Sequence, residues 1–186
     1  MDVRSKKKHE PIFNVKQYLF EIHGVDVMEI YGFKSTSALT VFSETGVDLK
    51  KMFPTEKQFL SWLNVVPDNK ITGGKVISSR VKRKKNKAGQ AFRDAANALW
   101  RAQNPLGDHL RRKKAKSGSK PAIVSTARKL AAIYYKMVTD KITFNPVYLE
   151  NKSKEYLKNK LLLLDKMKLK VENQLAGIHE FDEVVI

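Results

Sequence analysis

The sequence KPAIVSTARKLAAIYYKMVTD, residues 120–140, has a clear helical periodicity in this 186-residue chain. Its apolar residues recur at steps of three and four, which is the spacing of one face of an α-helix. Ser119 and Pro121 stand where a helix begins, because proline is tolerated in the first turn. The predicted buried face comprises Ile123, Ala127, Leu130, Ala131, Tyr134 and Met137.

A second helix is predicted before it, at AGQAFRDAANALW (residues 88–100). It starts near Lys87, and its alanines permit close packing against the helix at 120–140. Pro105 begins a short helix between the two. The aromatic residues Trp100, Tyr134 and Tyr135 lie at core spacing and are therefore predicted to pack in the core rather than to stack on bases. These helices are predicted to form the core.

Three shorter helices are predicted in the N-terminal half. The first, residues 13–24, stops at Gly24. The second is predicted to be capped by Ser35 or Thr36 and to end at Gly46. The third is capped by Thr55 and ends before Pro67. The apolar faces expected on the second and third helices are Ala38, Leu39 and Phe42, and Phe59, Trp62 and Leu63.

A long helix is predicted from Pro146 to about Leu175. Leucine and valine residues follow a heptad spacing in which Lys168 occupies one apolar position. The seam consists of Leu157, Leu161, Leu164, Val171 and Leu175. Such a helix either docks on its own domain or pairs with another chain. The fold class predicted is therefore all-α: a compact helical domain with a long basic loop and a long C-terminal helix.

The predicted organisation has four parts. Residues 1–11 are polar and basic and are expected to form a disordered arm. Residues 12–145 form the main domain. Residues 146–178 form the long helix, a candidate coiled coil, and residues 179–186 a tail.

The positive charge is concentrated in one part of the chain. The net charge is +17, and the stretch from Lys70 to Lys120 holds sixteen lysine and arginine residues but only Asp94 and Asp108 as acids. Charges of a surface without function are usually interspersed with acids, so this clustering favours a polyanionic partner, above all nucleic acid. A membrane surface is less well supported, because no helix carries large apolar anchors opposite a basic face.

The stretch NKITGGKVISSRVKRKK, residues 69–85, lies inside this basic region. It lacks helical periodicity and is predicted to be a long, partly extended loop, with a short hairpin at ITGGKVIS as one arrangement. Two glycines after Thr72 let the backbone approach a phosphate closely. The hydroxyl of Thr72, or those of Ser78 and Ser79, could attack phosphorus once deprotonated. From chemistry alone, a loop that only holds phosphates is favoured.

A tight turn is predicted at MEIYGFKST, residues 28–36, between two short helices. A helix–hairpin–helix element of this kind points backbone N–H groups at a DNA phosphate without reading a base. An ordinary helical hairpin explains the same pattern equally well, because only Gly32 supplies unusual backbone freedom.

Several classes of protein are excluded or disfavoured. The chain has no cysteine, so disulfides and thiolate metal sites are excluded. Its four histidines stand apart and the carboxylates do not cluster, which disfavours a metal site within the chain. TGGK lacks the spacing of a phosphate-binding P-loop. No apolar run is long enough to span a bilayer, and the N-terminus lacks the apolar core of a secretory signal.

The order of these motifs resembles a known family. The stretch GVDVMEIYGFKSTSALTVFSETGVDLKKMFPTEKQFLSWLNVVPDNKITGGKVISSR, then AFRDAANALW and AIVSTARKLAAIYYKM, is similar to the C-terminal domain of the "insertion sequence one-ten" transposases, relatives of Piv-type DNA invertases. The resemblance covers about residues 12 to 145. It implies a DNA-binding domain that completes recombination together with an N-terminal RuvC-like domain carrying a DEDD metal site, where Mg²⁺ is expected.

The resemblance also implies a role for one hydroxyl. The family has a serine followed by glycine that acts on DNA with the metal site, and Thr72 stands at that position here. Threonine keeps the hydroxyl, but its β-methyl group crowds attack, so Ser78 and Ser79 remain rival candidates. Residues 1–11 do not resemble the RuvC-like domain, so the resemblance implies that this sequence is a fragment, which is not expected to be catalytic alone.

The expected partners are duplex DNA, a structured guide RNA and further copies of the protein, and the expected location is the cytoplasm, at the nucleoid. The alternative is a non-enzymatic nucleic-acid-binding module of an architectural or RNA-binding protein. The residues predicted to contact nucleic acid are Gly32, Lys34, Gly73, Gly74, Lys75, Arg80, Lys82, Arg83, Lys84, Lys85, Lys87, Arg111, Arg112, Lys113 and Lys114.

Overall fold

The computed structural model of the protein describes residues 11–81 and 86–184. They divide into two compact units, one ending at Phe144 and the other beginning at Asn145. The elements in chain order are α1 (Val15–His23), the 3₁₀ helix η1 (Val27–Glu29), α2 (Ser35–Thr45), α3 (Leu49–Met52), α4 (Glu56–Trp62), β1 (Pro67–Thr72), β2 (Lys75–Val81), α5 (Lys87–Asn97), the 3₁₀ helix η2 (Ala98–Arg101), α6 (Pro105–Ser117), α7 (Ser119–Asp140) and α8 (Pro146–Val184).

The all-α prediction is confirmed, since helices account for most of the described residues and the only sheet among them is two-stranded. The periodic helices were predicted closely. Helix α5 begins at Lys87, α6 begins at Pro105 and α7 begins at Ser119. Their boundaries follow from strong local signals: proline in the first turn of α6, and an asparagine side chain capping each of α5 and α6.

Helix α7 lies at the centre of the first unit and packs against α4, α5 and α6. Tyr134, in the middle of α7, is almost fully buried among other aromatic rings. Its ring lies 5.6 Å from that of Phe92 on α5 and 6.3 Å from that of Phe59 on α4, measured between centroids. The next residue, Tyr135, donates a hydrogen bond to the carbonyl oxygen of Phe53 at 2.7 Å. These contacts join the N-terminal helices to α7.

The two N-caps predicted for the N-terminal helices have different outcomes. Thr55 caps α4, in a capping box with Gln58, as predicted. Neither Ser35 nor Thr36 caps α2: both already lie within the helix, and Lys34 occupies the cap position without a side-chain hydrogen bond.

The buried face of α2 also differs from the prediction. It consists of Ala38, Val41 and Thr45, whereas Leu39 and Phe42 are half-buried. Phe42 turns toward α1, where its ring contacts Tyr18 and His23.

The stretch predicted as a long loop is an antiparallel β-hairpin. Its β-branched residues favour strand geometry, and the turn at Gly73 and Gly74 has positive φ at both positions, +54° and +74°. Such a turn matches the right-handed twist of two strands joined by two residues. The hairpin at ITGGKVIS is therefore present, and it extends over residues 67–81.

The second unit is helix α8, which continues to Val184 rather than ending near Leu175. The seam residues of its heptad pattern are all exposed; Leu161, for example, is 61% exposed. Whether the long helix pairs with another chain therefore stays a prediction from sequence. No described helix is both long enough and apolar enough to pass through a membrane.

Candidate nucleic-acid interface

The base of the hairpin is fixed by two side chains that bridge α4 and α5. Asn86 caps α5 by accepting a hydrogen bond from the backbone N–H of Gly89 at 2.6 Å, and its amide nitrogen donates to the carbonyl oxygen of Trp62 at 2.9 Å. Arg93 donates to the carbonyl oxygen of Asn64 at 2.6 Å. The segments that enter and leave the hairpin are thereby held together.

These positioning residues were not anticipated from the sequence. An asparagine directly before a helix is a recognisable N-cap signal, so Asn86 could have been found as a cap. Its second hydrogen bond spans 24 residues, and that of Arg93 spans 29. Contacts of this range leave no periodic signature in a single sequence.

The hairpin extends into solvent. Every β1 residue is exposed, and no described side chain of β2 is fully buried. At the tip, a Cβ added to Gly73 or Gly74 would meet no atom within 4 Å. Thr72 is paired with Lys75 across this turn. A hydroxyl and an ammonium group therefore flank an open glycine tip that a phosphate can approach closely.

A bulge in the hairpin determines which side chains share a face. The register pairs Lys70 with Ser78 and Thr72 with Lys75, and it shifts between Lys70 and Ile71 so that Ile77 is the extra residue. Because paired residues and every second residue along a strand lie on the same face, one face is polar and basic. This face holds Asp68, Lys70, Thr72, Lys75, Ser78 and Arg80.

The two rival serines are therefore separated. Ser78 lies on the same face as Thr72 and three cations. Ser79 is paired with Asn69 and lies on the opposite face, with Ile71. We name the polar set of residues 68, 70, 72, 75, 78 and 80 the basic face of the hairpin.

The predicted residues before and after the hairpin lie in different settings. Gly32 is packed on α5, where an added Cβ would lie 2.5 Å from the carbonyl oxygen of Ala95. Its missing side chain therefore permits this packing, and its backbone freedom serves the turn. Lys34 is exposed at the start of α2. Lys87 lies 3.7 Å from the carboxylate of Glu44. Lys82, Arg83, Lys84 and Lys85 lie outside the described residues.

The four α6 residues that were predicted to contact nucleic acid divide into two pairs. Arg111 donates to the carbonyl oxygens of Trp100 and Ala102 and to Asp108, so its guanidinium is engaged within the domain. Lys114 lies over the ring of Trp100, 5.0 Å from its centroid. The charges of Arg112 and Lys113 act instead on His109 and Lys129, whose pKa values they lower.

The described residues do not assemble a metal site: no group of three or more histidine and carboxylate side chains occurs within residues 11–81 and 86–184. The donor set required for Mg²⁺ is oxygen-rich, and the basic face of the hairpin offers one carboxylate, Asp68, among three cations. The basic face of the hairpin therefore does not supply the ligands for the magnesium ion that is expected in the RuvC-like domain.

The arrangement defines a helical domain whose extended hairpin carries hydroxyls and cations on one exposed face. Residues 26–111 match the family model described as Transposase IS116/IS110/IS902 family. The matched segment extends from just before η1 into α6 and includes the whole hairpin. This part of the chain is an IS110-type transposase domain, which confirms the resemblance seen in the sequence. Comparisons with curated proteins and with solved structures gave no match.

Proposed function

We propose that this protein is the part of an insertion-sequence transposase that binds DNA and completes recombination at the cleaved phosphodiester. The transposase domain at residues 26–111 supports the general role. The observation that carries the finer proposal is the basic face of the hairpin, where Thr72 stands beside the glycine tip and shares its face with Lys70, Lys75 and Arg80.

The chemistry proposed for Thr72 is attack on a DNA phosphorus. The bond from the hydroxyl oxygen to phosphorus forms as the bond from phosphorus to one deoxyribose oxygen breaks, and the hydroxyl proton is transferred to the departing oxygen. Cations on the same face offset the charge that develops on the phosphoryl oxygens. The carboxylates that hold metal in this family are expected from a RuvC-like domain and not from the residues described above.

Ser78 is the stronger of the two rival nucleophiles, because it shares the basic face while Ser79 lies on the other side. Binding is proposed to involve duplex DNA first, with a structured RNA as a second partner and a second copy of the chain through α8. A protein that acts on DNA would be located at the nucleoid.

The test of the nucleophile uses this chain combined with a RuvC-like domain of the family in a strand-transfer assay. Thr72→Ala should leave DNA binding unchanged and abolish the covalent protein–DNA adduct, because only the attacking oxygen is removed. Ser79→Ala is the matched control and should retain both activities. Ser78→Ala identifies the nucleophile if it, rather than Thr72→Ala, removes the adduct.

A non-enzymatic binding module is the competing function. A binding module of this kind would not need any hydroxyl of the hairpin for activity. A normal yield of recombined DNA from all three variants would therefore reject the catalytic proposal and retain only nucleic-acid binding.

A further inference from the structure

A histidine and a serine meet where α6 and α7 pack against each other. His109 on α6 lies with its Nε2 atom 3.2 Å from the hydroxyl oxygen of Ser125 on α7. His109 is only 9% exposed, whereas Ser125 is half-buried. The histidine is thus nearly buried, while the serine that it contacts is partly open to solvent.

Three cations lie close enough to this His109–Ser125 pair to lower the pKa of His109 by their charge. Arg112 and Lys113 follow His109 by three and four residues, and Lys129 follows Ser125 by four, so each lies one helical turn further along the same side of its helix. Arg112 is half-buried, and Lys113 and Lys129 are exposed. We name His109, Ser125, Arg112, Lys113 and Lys129 the α6–α7 cluster.

The charges of the α6–α7 cluster all have the same sign. Burial first, and then the charges of Lys129, Arg112 and Lys113, together lower the pKa of His109 to about 4. The pKa of Lys129 is also lowered, first by partial burial of its amine, although the residue as a whole is exposed, and then by the charges of Arg112 and Lys113. Among the described residues, no carboxylate forms an ion pair with Lys113 or Lys129. The positive charges therefore repel one another, and a bound anion would relieve that repulsion.

A serine hydrogen-bonded to a histidine is also the arrangement of an activated nucleophile. That function is disfavoured here, because a general base works best when its pKa is near the working pH. A histidine with a pKa of about 4 is a weak base at neutral pH. The same cations that weaken His109 as a base attract an anion, so binding is favoured over catalysis.

We propose that the α6–α7 cluster is a second phosphate-binding site, which holds a backbone phosphodiester of the nucleic acid away from the hairpin. The inference rests on the proposed function, and it adds His109, Ser125 and Lys129 to the residues that contact the partner. Neutral His109 donates from Nε2 to the oxygen of Ser125, which leaves the serine hydroxyl free to donate to a phosphoryl oxygen. The ammonium groups of Lys113 and Lys129 pair with the phosphate charge.

The direct test records the ring resonances of the histidines by NMR while inorganic phosphate is added at constant ionic strength. The resonances of His109 should shift and its pKa should rise, because a phosphate stabilises the protonated ring. His23 is an internal control, since it is buried, has a pKa of about 4 and contacts aromatic rings instead of a cluster of cations. Equal shifts at both histidines, or none at His109, would overturn the site.

A second test separates this site from the proposed function as a whole. Binding to a DNA duplex and to an RNA duplex of the same sequence is measured against salt for the wild-type chain and for Lys129→Gln. The variant should bind several-fold more weakly, with a slope of log affinity against log salt that is shallower by about 1. Ser125→Ala should weaken binding without changing the slope, because it removes a neutral donor.

Lys120→Gln is the matched control, because Lys120 is exposed on α7 nine residues before Lys129 and so faces the opposite side of the helix. If Lys129→Gln and Lys120→Gln bind alike while the wild type binds tightly, the α6–α7 site is wrong and the proposed function stands. If the wild type binds neither duplex, the proposed function fails, and a phosphate response at His109 alone would then assign the cluster to a free anion.

Discussion

Single residues at the base of the hairpin control how closely α4 and α5 approach each other. Gly89 lies in the first turns of α5, where a Cβ would lie 2.1 Å from the carbonyl oxygen of Leu63. That distance is far below van der Waals contact, and a backbone oxygen cannot move aside as a flexible side chain can. The glycine is therefore required by packing and not by a special backbone angle.

We expect Gly89→Ala to destabilise the protein by about 2 kcal/mol or more, as overpacking of a core does. At an ordinary helical position the same change stabilises by about 1 kcal/mol, so the sign of the effect is diagnostic. Urea denaturation measures the free energy of unfolding. An unchanged or increased stability would show that α4 and α5 are not in close contact.

Two buried histidines make stability depend on pH. The pKa of His23 is lowered to about 4 by burial and then by the charge of Lys141, and that of His109 is lowered to a similar value. The unfolded chain takes up a proton near pH 6.5, whereas the folded chain does not do so until about pH 4. Stability is therefore full above pH 6.5 and is lost as pH falls toward 4.

We expect a loss of about 2 kcal/mol per histidine between pH 7 and pH 5, from 1.36 kcal/mol for each pH unit below 6.5. His23→Phe should remove its share of this loss, because the ring lies between Phe42 and Tyr134 and a phenyl group suits that setting. Urea denaturation at both pH values tests this. An equal pH dependence in the variant and the wild type would mean that folding does not lower the pKa of His23.

At the scale of elements, the sequence predicted well those helices whose position follows from local periodicity, and less well the elements that depend on contacts distant in sequence. Helices α5 and α7 bury one continuous stripe, so their periodicity alone identified them. The buried face of α2 was mispredicted because Phe42 packs on α1, which is a tertiary choice that local spacing does not encode. The hairpin was predicted only in part, since its length and its bulge depend on pairing across the turn and on the bridges made by Asn86 and Arg93.

For helix α8, the sequence showed the heptad pattern but did not show which surface packs against it. It exposes a complete heptad seam, and Lys168 at one seam position is the kind of polar residue that fixes register in a two-stranded coil. We expect the chain to self-associate through this seam. Leu161→Lys should shift the protein toward monomer in sedimentation experiments.

The control for this prediction lies next to Leu161 on the same helix. Leu162 is similarly exposed, at 60%, but falls outside the seam. Leu162→Lys should therefore affect association much less. If both substitutions had the same effect, or if the wild type were monomeric at every concentration, the coiled-coil prediction would be wrong.

At the scale of the whole molecule, the charge distribution agrees with the transposase-family match at residues 26–111. Most of the +17 net charge lies between Lys70 and Lys120, and in the fold this stretch becomes the hairpin, α5 and α6. The sequence alone showed where the charge is concentrated and suggested the transposase family. It could not show that Ser78 rather than Ser79 shares a face with Thr72, because the bulge at Ile77 shifts the register by one residue.

The central claim is that the basic face of the hairpin binds a phosphate backbone. The most direct measurement is a salt titration of duplex DNA binding, comparing the wild type with a variant in which Lys70, Lys75 and Arg80 are changed to glutamine. With six or more phosphates contacted, the wild-type slope of log affinity against log salt should be about −5 or steeper, and the variant slope should be shallower by about 2 to 3. A flat wild-type response, or identical slopes for the two proteins, would contradict the account.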